Sequence, residues 1–409
     1  MKQKYLGILN DAVKRMYAHP GREVLLFHHN DTDGLASGTI LLTACERAGW
    51  TVKRYALEKP YPEVLDLVFR EHTGKLIMFA DFAGKIAPLI ADKNRRQNLV
   101  FILDHHPAEP SPDDTVLNLD PDLFGLKGDL DISASTTCYL FAKAMHEGNR
   151  DLASLAVLGA VGDGFYVDGA LVSENRQALM EALQQVLARV STHDSGERYY
   201  IKISGKEYPC DFLSRHLDML GAVGYYRNGA DAGVRLCMYG LDEDITKLYE
   251  QCKAIKEERF SRQLEVLEEG GLVTGEYIQW FDTGNTFSPM GVKMVGVFCN
   301  ELKDADFLDK TKYLAGFQHI PNEIPGFGKI RFDKTKISMR VSEHLAQEIR
   351  SGRMPGLSSF LPEATLRLGG FADACHSLSA ATTIDIGMED RLIEETERVF
   401  REITSRHKE

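Results

Sequence analysis

The sequence predicts an α/β protein in which a mainly parallel, doubly wound sheet precedes a smaller α/β domain. Over about the first 120 residues, short apolar runs alternate with segments of helical periodicity, which is typical of right-handed β-α-β units. A long, highly charged helical segment then precedes a region in which strand-like runs mix with helices. The length of 409 residues allows two or three domains of roughly 150 residues each.

Five short apolar runs in the N-terminal part are predicted to be the strands of the sheet. They are residues 24–29, 51–56, 75–81, 99–104 and 115–120. Helical spacing of apolar residues predicts helices in the segments between them and in two later segments. These helices are residues 34–49, 62–72, 84–94, 135–147 and 151–161.

The C-terminal part is predicted to be a second domain. We expect an N-terminal domain over 1–240, a connecting helix within 241–271 and a C-terminal domain over 272–409, with a cleft between the domains. Strand-like runs in the second domain are 272–281, 292–298 and 336–341, and the Gly369-Gly370 pair opens a loop.

The composition predicts an ordinary globular protein of a reducing compartment. Apolar residues make up 44% and charged residues 26% of the chain. The net charge of −12 argues against a surface that is basic throughout, as long duplex DNA would require. Seven single cysteines without a C-x-x-C pair, no signal peptide and no apolar run near about 20 residues predict a cytoplasmic protein.

Acidic and histidine residues follow several of the predicted strands. They are His29, Asp31 and Asp33 after the first strand, Asp81 after the third, Asp104, His105 and His106 after the fourth, and Asp163 after an apolar helix. In open α/β sheets, ligands bind at the carboxyl ends of the strands, so one rim of the sheet is expected to gather these side chains.

Each of these short segments has a simpler explanation. "NDTDG" suits a turn, "DHHP" suits a strand end before proline, Asp81 could cap a helix, and "GDG" suits another turn. Their recurrence at one kind of position favours a metal site. Imidazole with carboxylates suits Mn²⁺, Fe²⁺ or Zn²⁺, and two ions sharing a carboxylate can promote attack on phosphorus.

The segments "HNDTDG", "ADFAG", "LDHHP" and "VGDG", in this order, resemble the four motifs of the DHH phosphoesterase superfamily. That superfamily includes RecJ nucleases, oligoribonucleases, cyclic-dinucleotide phosphodiesterases and family II pyrophosphatases. The C-terminal "KISMRVSEHLAQEI" and "LGGFADACHSLSAATTI" are similar to the DHH-associated substrate domain. Gly369, Gly370 and Ala374 fit that pattern, whereas Phe371 stands where His is usual and His376 where Gly is usual.

The resemblance implies two divalent ions, with Mn²⁺ expected and Mg²⁺, Co²⁺ or Fe²⁺ as alternatives. The resemblance implies that one metal is bound by His29 and Asp31 and the other by Asp33 and His105, with Asp81 bridging the two and Asp163 completing the set. It also implies that His106 contacts the phosphate or the leaving group and that Asp104 orients a histidine. His28 competes with His29, but the H-x-D-x-D spacing favours His29.

Residues of the second domain are candidates for binding substrate. Arg340 would clamp a phosphate, with a surface salt bridge as the alternative. The N–H groups of Gly369 and Gly370 would approach a phosphate, with a tight loop as the alternative. Phe371, together with His376, would contact the substrate, with a buried Phe371 as the alternative. Tyr277 and Trp280 are expected to pack in a hairpin.

Residues 220–233 and 289–302 look most like archaeal-type RecJ relatives, including the nuclease associated with the replicative helicase. This implies an exonuclease that acts on single-stranded DNA or RNA and releases nucleoside monophosphates. The alternatives are a phosphodiesterase for short oligonucleotides or cyclic dinucleotides, and, least favoured because the ligands are retained, an inactive replication scaffold. A replication-complex partner and a homodimer are further expectations.

Overall fold

The computed structural model describes residues 2–194, 196–372 and 375–406. The chain divides into two compact units, unit 1 (Met1–Cys252) and unit 2 (Lys253–Glu409). The long charged helix predicted at 242–271 is present as Glu243–Val266, and the boundary between the units falls within it.

Unit 1 contains the predicted five-stranded sheet and a second, smaller sheet. Its strands are β1 (Glu23–His29), β2 (Thr51–Leu57), β3 (Leu76–Ala80), β4 (Leu99–Leu103), β5 (Val116–Asn118), β6 (Ala188–His193), β7 (Gly196–Ile203) and β8 (Lys206–Pro209). Its helices are α1 (Lys2–Ala18), α2 (Thr32–Arg47), α3 (Pro62–Glu71), α4 (Ala87–Asn94), α5 (Ala134–Met145), α6 (Ala153–Gly162), α7 (Ser173–Gln184), α8 (Cys210–Asp218), α9 (Gly229–Tyr239) and α10 (Glu243–Val266).

The first five strands form one parallel sheet in the order β2-β1-β3-β4-β5. The chain runs from β1 to β2 in one direction and then crosses back to β3 on the other side of β1. Right-handed crossovers therefore put α2 on one face and α3 and α4 on the other. The predicted α/β, doubly wound fold is confirmed, and the order reverses between β1 and β3, where such sheets usually bind ligands.

The core of unit 1 explains why these segments take up their positions. α2 is buried over most of its length, and its side chains pack with those of α5, α6 and the sheet in one buried cluster. β3 is buried along its whole length, as expected for a central strand covered by helices on both faces. Burial of apolar surface thus holds the strand ends in fixed positions.

The three-stranded antiparallel sheet β6-β7-β8 was not predicted from the sequence. It occupies the region where the apolar pattern loosens. The outer strand β6 has no fully buried side chain, so its residues carry little of the alternation that would identify a strand.

Unit 2 is a mixed α/β domain, as predicted. Its strands are β9 (Val273–Thr274), β10 (Ile278–Asp282), β11 (Tyr313–His319), β12 (Glu323–Ile324), β13 (Gly328–Lys329), β14 (Lys334–Arg340), β15 (Phe371–Ala372) and β16 (Ser379–Asp385). Its helices are α11 (Lys293–Leu302), α12 (Glu343–Arg350), α13 (Leu361–Arg367) and α14 (Glu389–Arg406). The main sheet has the order β15-β16-β14-β11-β10-β9.

One expectation for unit 2 is wrong, because the strand-like run at 292–298 belongs to helix α11. Tyr277 and Trp280 lie in a hairpin, as expected. β9 and β10 pair antiparallel with Trp280 opposite Val273, and Tyr277 lies in their short connection. Tyr277 packs on Phe400 and Trp280 on Phe317.

Within the described residues, no helix combines the length and the apolarity that crossing a membrane requires.

Candidate metal centre

The candidate ligands of unit 1 form three overlapping groups at the carboxyl ends of the parallel strands. In each group, one ligand atom per residue lies within 4.8 Å of the others. The groups are His29 with Asp31 and Asp81, then Asp33 with His105 and Asp163, and then Asp81 with Asp104, His105 and His106. Every metal ligand proposed from the sequence is therefore in one of them.

The first group surrounds the imidazole of His29, at the end of β1. Its Nδ1 atom lies 2.8 Å from Oδ2 of Asp31 and 3.4 Å from Oδ2 of Asp81. Asp31 is also the N-cap of α2, and its side chain accepts a hydrogen bond from the N–H of Gly34. The turn explanation for "NDTDG" is thus correct for the local backbone, and the same turn directs Asp31 towards His29.

Asp81 connects the first group to the second. Its Oδ2 atom faces His29, and its Oδ1 atom lies 3.5 Å from Nε2 of His105. The residue follows β3 directly and has a φ of 66°, a left-handed conformation that is unfavourable for most side chains. Such strain occurs mainly at functional sites, and here it accompanies a carboxylate that faces two histidines.

His105 presents its Nε2 atom to the second group. Its Nδ1 atom is 2.6 Å from the carbonyl oxygen of Gly128, so Nδ1 carries the proton and donates it there. Nε2 lies 3.4 Å from Asp163 Oδ2 and makes no hydrogen bond of good geometry with any residue the structure describes, although the atom is buried. A ring whose far N–H is fixed by a carbonyl while its other nitrogen faces carboxylates is the arrangement of a metal ligand.

Asp33 is buried at 1% exposure and is held by the N-terminus of α5. Its two carboxylate oxygens accept hydrogen bonds from the N–H groups of Ala134 and Ser135, at 2.9 and 3.0 Å. The helix N-terminus stabilises the negative charge, and each oxygen keeps a further lone pair for a cation.

The electrostatics of the groups fit bound cations. Burial, followed by repulsion from Asp81 and Asp163, raises the pKa of Asp33 well above its usual value. Burial and the charge of Asp31 likewise raise the pKa of Asp81. Burial would lower the pKa of His105, but the carboxylates of Asp81 and Asp163 outweigh it and raise that pKa. Divalent ions would relieve the repulsion, so the residues present fit the metals that the sequence predicts.

Asp104 and His106 form a pair beside the cluster. Nδ1 of His106 donates to Oδ1 of Asp104 at 2.8 Å, and Oδ2 of Asp104 accepts from the N–H of Gly84. Burial acts to raise the pKa of Asp104, but the interactions with His106 and His105 lower it below the usual range. Asp104 is thus an ionised carboxylate that holds the ring of His106 through Nδ1.

His28 does not join the cluster. Its buried ring accepts a hydrogen bond from Nη1 of Arg54 at Nε2, 2.7 Å away, and its Nδ1 donates to the carbonyl of His29 at 2.6 Å. Burial and the charge of Arg54 lower its pKa to about 3, so the ring is neutral. Of the two candidates, His29 is therefore the one that faces the carboxylates.

Arg340 lies at the end of β14 in unit 2. Its guanidinium donates to the carbonyl of Met339 at 2.8 Å, and burial lowers its pKa. No ion pair in the described part of the chain involves Arg340, so the salt-bridge alternative finds no support there.

In the remaining part of the predicted substrate loop, Phe371 belongs to β15, which pairs with β16 on the side away from β14. The N–H groups of Gly369 and Gly370 donate to the carbonyls of Leu366 and Thr365 and end α13, which favours the tight-loop alternative over contact with a phosphate. Phe371 is half-buried and pairs with Thr383 of β16, and His376 is exposed. Ala374, which fits the family pattern, lies outside the described residues.

Several residues at the centre were missed by sequence reasoning. Gly128 orients His105, and Ala134 and Ser135 hold Asp33. The "SAST" segment that begins α5 is a recognisable N-cap signal, because Ser133 caps the helix by accepting from Thr136. Nothing in that signal indicates that a carboxylate more than a hundred residues away would dock there.

The comparisons with known proteins agree with this geometry. Residues 23–160 match the model of the DHH family, N-terminal domain. An uncharacterized protein of Methanocaldococcus jannaschii is 31% identical over 171 residues, which cover 40% of this chain and 38% of the relative.

Two solved structures show the likeness of fold. RecJ from Thermus thermophilus in complex with Mn²⁺ has a TM-score of 0.64 at 14% identity, and the match covers 97% of this chain and 55% of that chain. CDC45 from Entamoeba histolytica has a TM-score of 0.57 at 11% identity, with 98% of each chain covered. This chain thus spans only about half the length of that RecJ.

Proposed function

We propose that this chain, whose residues 23–160 match the DHH family model and whose fold resembles that of RecJ, is a Mn²⁺-dependent phosphodiesterase. Its proposed reaction is exonucleolytic hydrolysis of single-stranded DNA or RNA to nucleoside monophosphates. The likeness to an RecJ that binds Mn²⁺ supports the choice of metal.

The observation that carries this proposal is the position of Asp81. Its two carboxylate oxygens face two different histidines, His29 and His105, and each histidine has further carboxylates beside it. One shared carboxylate between two sets of ligands is what a pair of ions about 3.5–4 Å apart requires. His29 and Asp31 would hold one ion, and Asp33, His105 and Asp163 the other.

Two such ions, when bound, neutralise a phosphodiester and activate a water for in-line attack. The protein supplies the groups around them. Asp104 fixes the ring of His106 through Nδ1. Burial and His105 act to lower the pKa of His106, but Asp104 outweighs them and raises it. The His106 ring would contact the phosphate or protonate the leaving oxygen.

Arg340 is proposed to bind a substrate phosphate from unit 2. Its planar guanidinium can donate two parallel hydrogen bonds to phosphate oxygens. The absence of a carboxylate partner for it within the described residues supports this role over a structural salt bridge.

A substrate panel tests the proposal. The full chain with Mn²⁺ is incubated with a long labelled single strand of DNA or RNA, an RNA of two to five nucleotides, and cyclic di-AMP. Release of mononucleotides from the long strand is the expected result. Cleavage of only the short RNA or the cyclic dinucleotide would replace the exonuclease with one of the alternative phosphodiesterases, and no cleavage at all would refute an enzymatic role.

Replacing His105 by alanine is expected to abolish cleavage of whichever substrate is turned over. Loss of residues that merely support metal ligands typically costs about 10–100-fold, so removal of a ligand should cost at least that. His193→Ala is the matched control, since this exposed histidine lies in β6. Near-normal turnover by His105→Ala would show that the cluster is not the active site.

A further inference from the structure

Thr32 lies between two candidate metal ligands, Asp31 and Asp33, at the first turn of α2. Its backbone N–H has no partner within its own helix, because it belongs to the first turn. Both this N–H and the side-chain hydroxyl donate to Oδ1 of Asp218, at 3.0 and 2.9 Å. One carboxylate thus fixes the backbone and the side chain of the residue between two ligands.

Asp218 belongs to α8, and the helical backbone continues beyond it into Met219–Val223. Its carboxylate lies at the N-terminus of a second helix, α2, whose dipole favours a negative charge there.

The segment after Asp218 contacts the same loop a second time. Residues Met219–Val223 form a π-helical turn, a rare conformation that occurs frequently at functional sites. The side-chain amide of Asn30 donates to the carbonyl of Gly221 at 2.8 Å. A Cβ atom at Gly221 would lie 1.6 Å from the carbonyl oxygen of Asn30, so only glycine fits at this contact.

Thr32 also connects the loop to the last candidate ligand. A Cβ atom at Gly162, the residue before Asp163, would lie 2.3 Å from Cγ2 of Thr32. The side chain of Thr32 is therefore packed between α8 and the end of α6 and has little room to move.

We propose that Asp218, acting through Thr32, is a positioning residue that holds the loop Asn30–Asp33 in the geometry that binds metal. This inference rests on the proposed metal centre and adds a residue to which neither the motifs nor the comparisons assign a role. Asp218 touches neither metal nor substrate in this role.

The test measures Mn²⁺ binding to the full chain by isothermal titration calorimetry, without nucleic acid. Asp218→Ala is expected to weaken binding about 10–100-fold, the usual effect of losing a residue that orients ligands. Asp218→Asn keeps an acceptor oxygen and should restore most of the affinity. The matched control is Asp211→Ala on the same helix, because Asp211 pairs with Arg198 at the surface and not with the loop.

A double-mutant cycle separates positioning from a general loss of stability. Thr32→Val keeps the shape of the side chain but removes its hydroxyl, and should weaken Mn²⁺ binding several-fold, while Thr32→Ser should bind as the parent does. The loss caused by Asp218→Ala should be smaller in the Thr32→Val background. If Asp218→Ala fails to fold, Asp218→Asn and the two Thr32 variants decide the question.

The inference is overturned if Asp218→Ala and Asp211→Ala bind Mn²⁺ equally well, or if Asp218→Asn is as weak as Asp218→Ala. A parent protein that binds Mn²⁺ but cleaves none of the substrates contradicts the proposed activity alone, because the variants are compared by binding. A parent that binds no Mn²⁺ contradicts both proposals.

Discussion

At the scale of single residues, close packing around one buried carboxylate controls the candidate centre. Asp33 is held from one side by the N-terminus of α5 and is approached from another by α6 at Gly159. A Cβ atom at Gly159 would lie 2.1 Å from Oγ of Ser135 and 2.2 Å from Oδ1 of Asp33. Position 159 therefore has no space for a side chain.

Gly159→Ala is predicted to destabilise the fold and to displace Asp33. Inserting a methyl group into a filled core typically costs about 1–3 kcal/mol, and movement of the carboxylate should also weaken Mn²⁺ binding. Chemical denaturation and calorimetric titration measure the two effects. Gly7→Ala is the control, because this exposed glycine of α1 has nothing within 4 Å of its added Cβ and should gain roughly 0.5–1 kcal/mol of stability. Equal stabilities of the two variants would contradict the packing argument.

The candidate ligands could be predicted from the sequence, but the residues that hold them could not. All the ligands but Asp163 follow strands of one parallel sheet, and parallel strands end at one rim, which brings those side chains together; Asp163 follows helix α6 and was predicted from the family motif. Asp218 contacts Thr32 across 186 residues, and no periodicity or spacing reports such a contact. Its role follows only from how α8 packs on the start of α2.

At the scale of elements, the five strands of the parallel sheet could be predicted because each is a short apolar run, and helices separate the first four. Residues 292–298 were wrongly predicted to be a strand, because a short apolar run alone does not distinguish a strand from a buried helix. In α11, the buried residues with apolar side chains are Met294, Val295, Phe298, Cys299 and Leu302. The spacing of these residues is helical, but the pattern can be recognised only when the residues up to Leu302 are included.

Glu181 of α7 joins three elements of unit 1. It accepts hydrogen bonds from Tyr139 and Lys143 of α5, at 2.6 and 2.7 Å, and lies 3.3 Å from Nε of Arg150. Burial acts to raise the pKa of Glu181, but the hydrogen bonds from Lys143 and Tyr139 outweigh it and lower the pKa. The ionised carboxylate therefore stabilises the folded state.

Glu181→Gln is predicted to destabilise the protein by about 1–2 kcal/mol at neutral pH, as expected for hydrogen bonds to a partly buried charged group. The contribution of Glu181 to stability is complete above the pKa of glutamate in the unfolded chain, roughly 4.3, and is lost as the pH falls through its lower pKa in the folded state. The difference in unfolding free energy between parent and variant should therefore become smaller at acidic pH. Glu147→Gln, which removes an exposed partner of Arg150, should have little effect at either pH. A difference that widens in acid would contradict the assignment.

At the scale of the whole molecule, the ligands predicted for the two ions all lie in unit 1, although the chain as a whole carries a net charge of −12. An acidic residue is therefore not a candidate metal ligand merely because it is acidic. Asp282, His319 and Glu389 of unit 2 also have ligand atoms within 4.8 Å of one another, but none of these three residues is buried. The burial of Asp33, Asp81 and His105 distinguishes the centre in unit 1 from this group.

Mn²⁺ is therefore predicted to stabilise unit 1 selectively. A ligand at 100 times its dissociation constant adds about 2.7 kcal/mol to the stability of the state that binds it. Hydrogen–deuterium exchange read by mass spectrometry should slow in the peptides that carry His29, Asp81 and His105 and return to its original rate after chelation with EDTA. Peptides that carry Asp282 and His319 provide an internal control and should exchange at the same rate with and without Mn²⁺. Equal protection of both units, or protection that persists in His105→Ala, would show that Mn²⁺ acts elsewhere than at the centre beside β1 and β3.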